Sequence, residues 1–89
     1  MYSVVLSAEA EQIYLSANQA LAKKMARCLE QLEQTPRIHP NIKPLKGDLA
    51  GYYRYRMDDY RVIYLIDDEI NRVIVLLFII AERHTNKYE

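Results

Sequence analysis

The chain has 89 residues, 51% hydrophobic and 27% charged, which is enough for one domain over residues 1–89 with a modest core and too little for two. Its formal net charge is zero, which argues against a protein that coats nucleic acid by bulk charge. Residues 36–61, however, hold six basic residues and three acidic ones, and this local excess is compatible with a focused anion site. A single cysteine, Cys28, excludes a disulfide framework within the chain. No signal peptide or membrane-length apolar run is present, so we expect a soluble, cytoplasmic protein.

The first third of the chain predicts a strand followed by helices. Residues 2–6 form a short β-rich run, and Ser7 can cap the next helix because its hydroxyl accepts hydrogen bonds from first-turn amides. Apolar residues then recur at helical spacing as far as Leu32, and residues 16–18 indicate either a break between two helices or a kink in one. Pro36 ends the helical region, because proline disfavours helical geometry in the residue before it.

The remaining elements are predicted to be three strands. Residues 37–50 lack a clear period and contain two prolines and a glycine, so we expect a surface loop with Ile38, Ile42 and Leu45 as anchors. Residues 73–80 are apolar throughout, as in a central strand covered on both faces. The element order predicts an α+β fold, β-α-α-β-β-β, with two N-terminal helices packed on a four-stranded, mostly antiparallel sheet.

The stretch from residue 51 to residue 64 predicts a β-hairpin. Its period-2 alternation breaks at Asp58 and Asp59 and then resumes, so these acids are read as turn residues and not as metal ligands. In this register Arg56 lies opposite Arg61, and Arg54 shares their face. Like charges directly across a strand pair are destabilising, so the cluster indicates an anion site, although a solvated face whose arginines pair with distant acids gives the same pattern. The other face is predicted to be core.

The chain resembles the RelE/ParE superfamily of bacterial type II toxins over nearly its whole length. The resemblance rests on the element order and on Leu45-Lys46-Gly47, Tyr53-Arg54-Tyr55-Arg56 and Asp59-Tyr60-Arg61-Val62-Ile63-Tyr64, followed by an apolar strand that closes in Arg83 and Tyr88. The RelE branch implies metal-independent cleavage of mRNA in the ribosomal A site, without a cofactor, by attack of the ribose 2′-hydroxyl on the adjacent phosphate. This chemistry requires a base, an acid and fixed cations.

The same resemblance implies the site residues. The expected catalytic set is Arg54, Arg56, Arg61, Arg83, His84 and Tyr88. The basic residues expected to contact RNA or the ribosome are Arg37, Lys43 and Lys46. Arginine serves better as a phosphate clamp than as a base, so the general base is left open. An unperturbed histidine changes charge near neutral pH, so His84 is a candidate acid or base, or else an exposed tail residue. Tyr88 is expected either to stack on a base or to donate a proton.

Three functions are compatible with the resemblance. The first is a ribosome-dependent mRNA endoribonuclease that inhibits translation, which the convergence of basic groups favours. The second is a ParE-like poison of DNA gyrase, and the third is a catalytically degenerate module that only binds an antitoxin. The implied partners are a cognate antitoxin, the ribosome and mRNA, with no membrane. Through the antitoxin, a higher-order complex on operator DNA is also expected.

Overall fold

The computed structural model describes residues 1–81 and shows two helices on one face of a mixed five-stranded sheet. The elements are β1 (Ser3–Leu6), α1 (Ala8–Ser16), α2 (Gln19–Gln34), β2 (Ile42–Pro44), a 3₁₀ helix (Gly47–Leu49), β3 (Tyr53–Met57), β4 (Tyr60–Asp67) and β5 (Arg72–Ile80). The strand order is β1-β5-β4-β3-β2, with β1 parallel to β5 and every other pair antiparallel. The predicted α+β class is confirmed. None of the helices in the described part is long and apolar enough to cross a membrane.

Side-chain caps set the helix boundaries. The Ser7 hydroxyl accepts a hydrogen bond from the Ala10 amide at 3.0 Å and donates one to the Leu76 carbonyl at 2.7 Å, so it starts α1 and ties it to β5. The Asn18 side chain accepts from the Leu21 amide at 2.8 Å. This second cap separates α1 from α2, so of the two predicted alternatives, the break is the one that occurs.

The main core lies between the helices and one face of the sheet. Its members are Ala10, Met25, Cys28, Leu32, Met57, Val62, Tyr64, Val73, Val75 and Phe78. Cys28 is fully buried on α2, and burial raises the pKa of its thiol to about 12. Cys28 therefore lies on the core side of α2, at one of the apolar positions that recur at helical spacing in the sequence.

The helix-free face of the sheet departs from the sequence prediction. β5 is an interior strand, as expected, because it lies between β1 and β4. The expectation that both its faces are covered holds fully for only one of them: Val73, Val75 and Phe78 are buried, whereas Ile74 and Ile79 on the other face are only half-buried. The reason is that both helices pack on one face. On the other face, the segment around the 3₁₀ helix leaves a cavity of about 190 Å³, lined by Leu49, Tyr52, Ile63, Leu76 and Leu77.

The segment after α2 contains a strand that the sequence did not reveal. Residues 42–44 form β2, paired antiparallel with β3, so within residues 1–81 the sheet has five strands where four were predicted. Leu45 is buried and Ile42 packs against the core, as expected of anchors. Ile38 is 82% exposed, so the prediction that it anchors the segment is wrong. The segment is held at Pro36 instead, whose carbonyl accepts a hydrogen bond from the buried Tyr64 hydroxyl at 2.6 Å.

Candidate functional site

Three arginines share the helix-free face of the β3–β4 hairpin, which we call the arginine face. Arg56 lies opposite Arg61, and Arg54 lies opposite Ile63, so the predicted register is confirmed. Asp58 adopts a left-handed conformation (φ 53°), which permits the two-residue turn and which aspartate tolerates better than most residues. Lys43 of β2 pairs with Arg54 and lies on the same face, because opposite residues of paired strands point to the same side.

Backbone carbonyl groups hold two of these guanidinium groups in place. Arg54 donates from Nη1 to the Asn41 carbonyl at 2.6 Å, and Arg61 donates to the carbonyls of Asp58 and Tyr60 at 3.1 and 3.0 Å. Both residues are only 9% exposed. Carbonyl oxygens carry partial negative charge, so these bonds offset part of the repulsion between the neighbouring cations; a hydrogen bond to a charged group contributes about 1.5–3 kcal/mol. The two side chains are therefore fixed in position before any ligand binds.

Arg56 is exposed and lies at a second feature, which we call the basic cleft. The cleft has a volume of about 270 Å³ and is lined by Lys24, Arg27, Cys28, Asn41, Tyr55, Arg56, Met57 and Asp58. Lys24 and Asp58 form an exposed ion pair at 2.5 Å, worth about 0–1 kcal/mol. This cleft was not predictable from the sequence. The spacing of Lys24 and Arg27 on one side of a helix was visible, but nothing in the sequence placed that side against β3.

The loop between α2 and β2 borders the basic cleft. The His39 ring stacks on Tyr55 with ring centres 5.4 Å apart, and its Nδ1 atom accepts a hydrogen bond from the Asn41 amide at 3.0 Å. The Asn41 carbonyl in turn accepts from the backbone amide of Arg56 at 2.8 Å. Asn41 therefore connects the loop to β3 at the point where the basic cleft and the arginine face meet.

Arg37 lies away from the arginine face. Its guanidinium group pairs with Asp68 at 2.6 Å, donates to the Tyr2 hydroxyl at 3.3 Å and lies 5.9 Å from the centre of the Tyr53 ring. The hydrogen bond from Arg37 lowers the pKa of the Asp68 carboxyl group. Arg61 lies near the start of β4, and Asp68 follows the end of the same strand. Because a strand rises about 3.3 Å per residue, Arg61 and Asp68 are roughly 20 Å apart, and Arg37 lies with Asp68.

The other sequence-predicted site residues are only partly covered by the structure. Lys46 is exposed just before the 3₁₀ helix. Arg83, His84 and Tyr88 lie outside the described residues. Among residues 1–81, no group of three His, Cys, Asp or Glu side chains could hold a metal ion. Within the described range the arginine face thus offers cations that can bind phosphate oxygens and stabilise developing negative charge.

Comparison with known proteins connects this arrangement to a toxin family. Over 61 residues, 65% of the chain, it is 38% identical to Toxin RelE of Mycobacterium tuberculosis, and this match spans 63% of that toxin. The fold resembles the Mycobacterium tuberculosis RelBE2 toxin-antitoxin complex (TM-score 0.77, 26% identity, 89% of this chain and 96% of the other). It also resembles the archaeal RelE-RelB complex from Pyrococcus horikoshii, with a TM-score of 0.79 and 24% identity over 92% of this chain and 97% of the other. Residues 4–84 match the model of the ParE toxin of the parDE type II toxin-antitoxin system. The chain therefore belongs to this family of type II toxins, within the RelE/ParE superfamily.

Proposed function

We propose that this toxin is a ribosome-dependent endoribonuclease that cleaves mRNA and so stops translation. The observation that carries the proposal is the arginine face, where Arg54, Arg56 and Arg61 meet and two of the three are held by backbone carbonyls. Positioned cations of this kind suit a reaction that builds negative charge on a phosphate group. The 38% identity to a toxin named RelE supports the same branch.

The reaction divides into charge stabilisation and proton transfer. The ribose 2′-oxygen forms a bond to the adjacent phosphorus, and the bond from phosphorus to the 5′-oxygen of the next nucleotide breaks. We assign Arg54, Arg56 and Arg61 to the phosphate, since each guanidinium group has five N–H donors in a fixed geometry. We assign proton transfer to His84 and Tyr88, and a further phosphate contact to Arg83, on the resemblance alone. Lys43 shares the arginine face and is assigned to the RNA backbone, with Lys46 and Arg37 as more distant contacts.

A cognate antitoxin is the expected protein partner. Two of the similar structures are complexes of a RelE toxin with its antitoxin, which supports a corresponding complex for this chain. Acidic residues of the antitoxin would complement the exposed basic side chains. Through the antitoxin, the complex would bind operator DNA, while the free toxin would bind the ribosome and mRNA.

Poisoning of DNA gyrase is the second candidate function. It is favoured by one specific observation, namely that the matching family model describes a ParE toxin. In this alternative the same fold would present a binding surface to gyrase, and the arginine face would not act on RNA.

The two candidates can be separated with purified toxin and one matched pair of variants. In a translating extract, wild-type toxin should cleave mRNA on ribosomes, with the cut mapped by primer extension. Arg56→Ala should slow cleavage by roughly 10²-fold or more, as expected when a group that stabilises the transition state is lost. Arg72→Ala is the control, because Arg72 is also an exposed arginine but begins β5 at the other end of the sheet. It should cleave normally.

The opposing outcomes are equally specific. If the folded Arg56→Ala protein cleaves mRNA at the wild-type rate, the arginine face is not the site. If mRNA stays intact and cleaved gyrase-DNA complexes accumulate in cells that express the toxin, the gyrase alternative is correct.

A further inference from the structure

The basic cleft is a binding site separate from the arginine face, although the two share Arg56. β2 is only three residues long and pairs with Tyr53–Tyr55, so it ends before the last two residues of β3. The space beyond its end is closed on the other side by α2, and this creates the cleft of about 270 Å³. That volume is slightly below the lower end of the range for small-molecule sites, about 300 Å³, and is enough for one or two side chains.

The rim of the basic cleft is strongly biased toward positive charge. Lys24 and Arg27 are three residues apart on α2 and so lie on one side of the helix, and Arg56 joins them from β3. Among the lining residues within 1–81, Asp58 is the one acidic residue, and it pairs with Lys24. In the described part of the chain the lining therefore holds three basic residues and one acidic residue, and both Arg27 and Arg56 are exposed. The complementary ligand group is an anion.

The floor of the basic cleft is apolar. Cys28 and Met57 are buried beneath it, and the half-buried ring of Tyr55 is fixed by its stacking on His39. An RNA phosphate would use the cationic rim and leave this floor empty. A peptide segment with a carboxylate next to an apolar side chain uses both, because the apolar group can cover the floor while the carboxylate reaches the rim.

We propose that the basic cleft anchors an acidic and apolar segment of the antitoxin, whose carboxylate pairs with Arg27 and Arg56. This inference rests on the proposed function, in which an antitoxin holds the toxin inactive. Pairing with Arg56 occupies one of the three arginines of the arginine face, so a partner bound beside that face inhibits it without covering it. The antitoxin and the RNA then compete for the same guanidinium group.

Charge reversal at Arg27 tests the proposal, because Arg27 lies in the cleft and outside the proposed catalytic set. The probe is the cognate antitoxin, purified and titrated against the toxin by calorimetry. Arg27→Glu should raise Kd at least 10-fold. The matched control is Lys23→Glu, which reverses an exposed charge on the same helix outside the cleft lining and should change Kd less than about threefold. Circular dichroism should show wild-type spectra for both variants.

Two further readouts separate this inference from the proposed function. Arg27→Glu toxin should still cleave mRNA at the wild-type rate, yet co-expressed antitoxin should no longer restore growth. Unchanged antitoxin affinity for Arg27→Glu would overturn the inference. Loss of mRNA cleavage by Arg27→Glu would also overturn it, by assigning the cleft to RNA. If wild-type toxin cleaves no mRNA, the proposed function fails, but the calorimetric comparison still decides whether the cleft binds the antitoxin.

Discussion

Replacing Tyr64 with phenylalanine should destabilise the fold through one hydrogen bond. Tyr64 is fully buried in β4, and its hydroxyl donates to the Pro36 carbonyl at 2.6 Å, joining two residues 28 positions apart. Phenylalanine fills nearly the same space, so no large cavity forms. The Pro36 carbonyl, in a residue that is itself buried, loses its donor. Leaving a buried acceptor without its partner costs about 1–3 kcal/mol.

The expected decrease in the free energy of unfolding is large enough to measure by urea unfolding at 25 °C. For a domain of this size each 1 kcal/mol shifts Tm by roughly 4–8 °C, so a loss of about 2 kcal/mol should lower Tm by roughly 8–16 °C. Tyr60→Phe is the control, because Tyr60 lies in the same strand but is only half-buried; it should stay within about 0.5 kcal/mol of wild type. A Tyr64→Phe protein as stable as this control would refute the role given to the hydrogen bond.

Two further stability measurements follow from the structure. Burial raises the pKa of Cys28 to about 12 and also raises the pKa of Tyr64, so on a rise in pH the unfolded chain releases these protons before the folded chain does. The free energy of unfolding should therefore fall as pH rises above about 9, by up to about 1.4 kcal/mol per pH unit for each group. Cys28→Ala should make this fall with pH shallower, and an unchanged slope would contradict the reasoning. Asp58→Val should lower the free energy of unfolding, measured in urea, by at least about 1 kcal/mol more than Asp58→Asn does. Both variants lose the charge, but only valine makes the backbone at this positive φ strained. Equal decreases for the two variants would rule out such strain.

The hairpin was predictable because all its signals are local. Alternation over the two strands, interrupted by two aspartates, is enough to fix which residues lie opposite each other. The pairing of Arg56 with Arg61 then follows from counting. The division into α1 and α2 was only half predictable, since Asn18 is a good cap but a kinked helix gives a similar pattern.

Other features depend on contacts between distant parts of the chain. β2 has three residues and includes Pro44, so it shows no alternation, and only its pairing with β3 makes it a strand. The hydrogen bond from Arg54 to the Asn41 carbonyl could not be predicted, because every residue has a backbone carbonyl and the sequence does not indicate which one accepts. The basic cleft likewise needs α2 docked beside β3, which spacing along one helix cannot reveal.

The four-residue strand β1 also protects β5. It pairs in parallel with Arg72–Val75, the first half of the most apolar strand of the sheet, and Ser7 follows with bonds to the carbonyls of Val75 and Leu76. Without residues 1–7, these backbone groups of β5 would form an exposed hydrophobic edge, which is a template for pairing with other chains. N-terminal deletions should therefore cause aggregation before they affect any residue of the arginine face. For this reason, loss of activity in such a deletion would say nothing about catalysis.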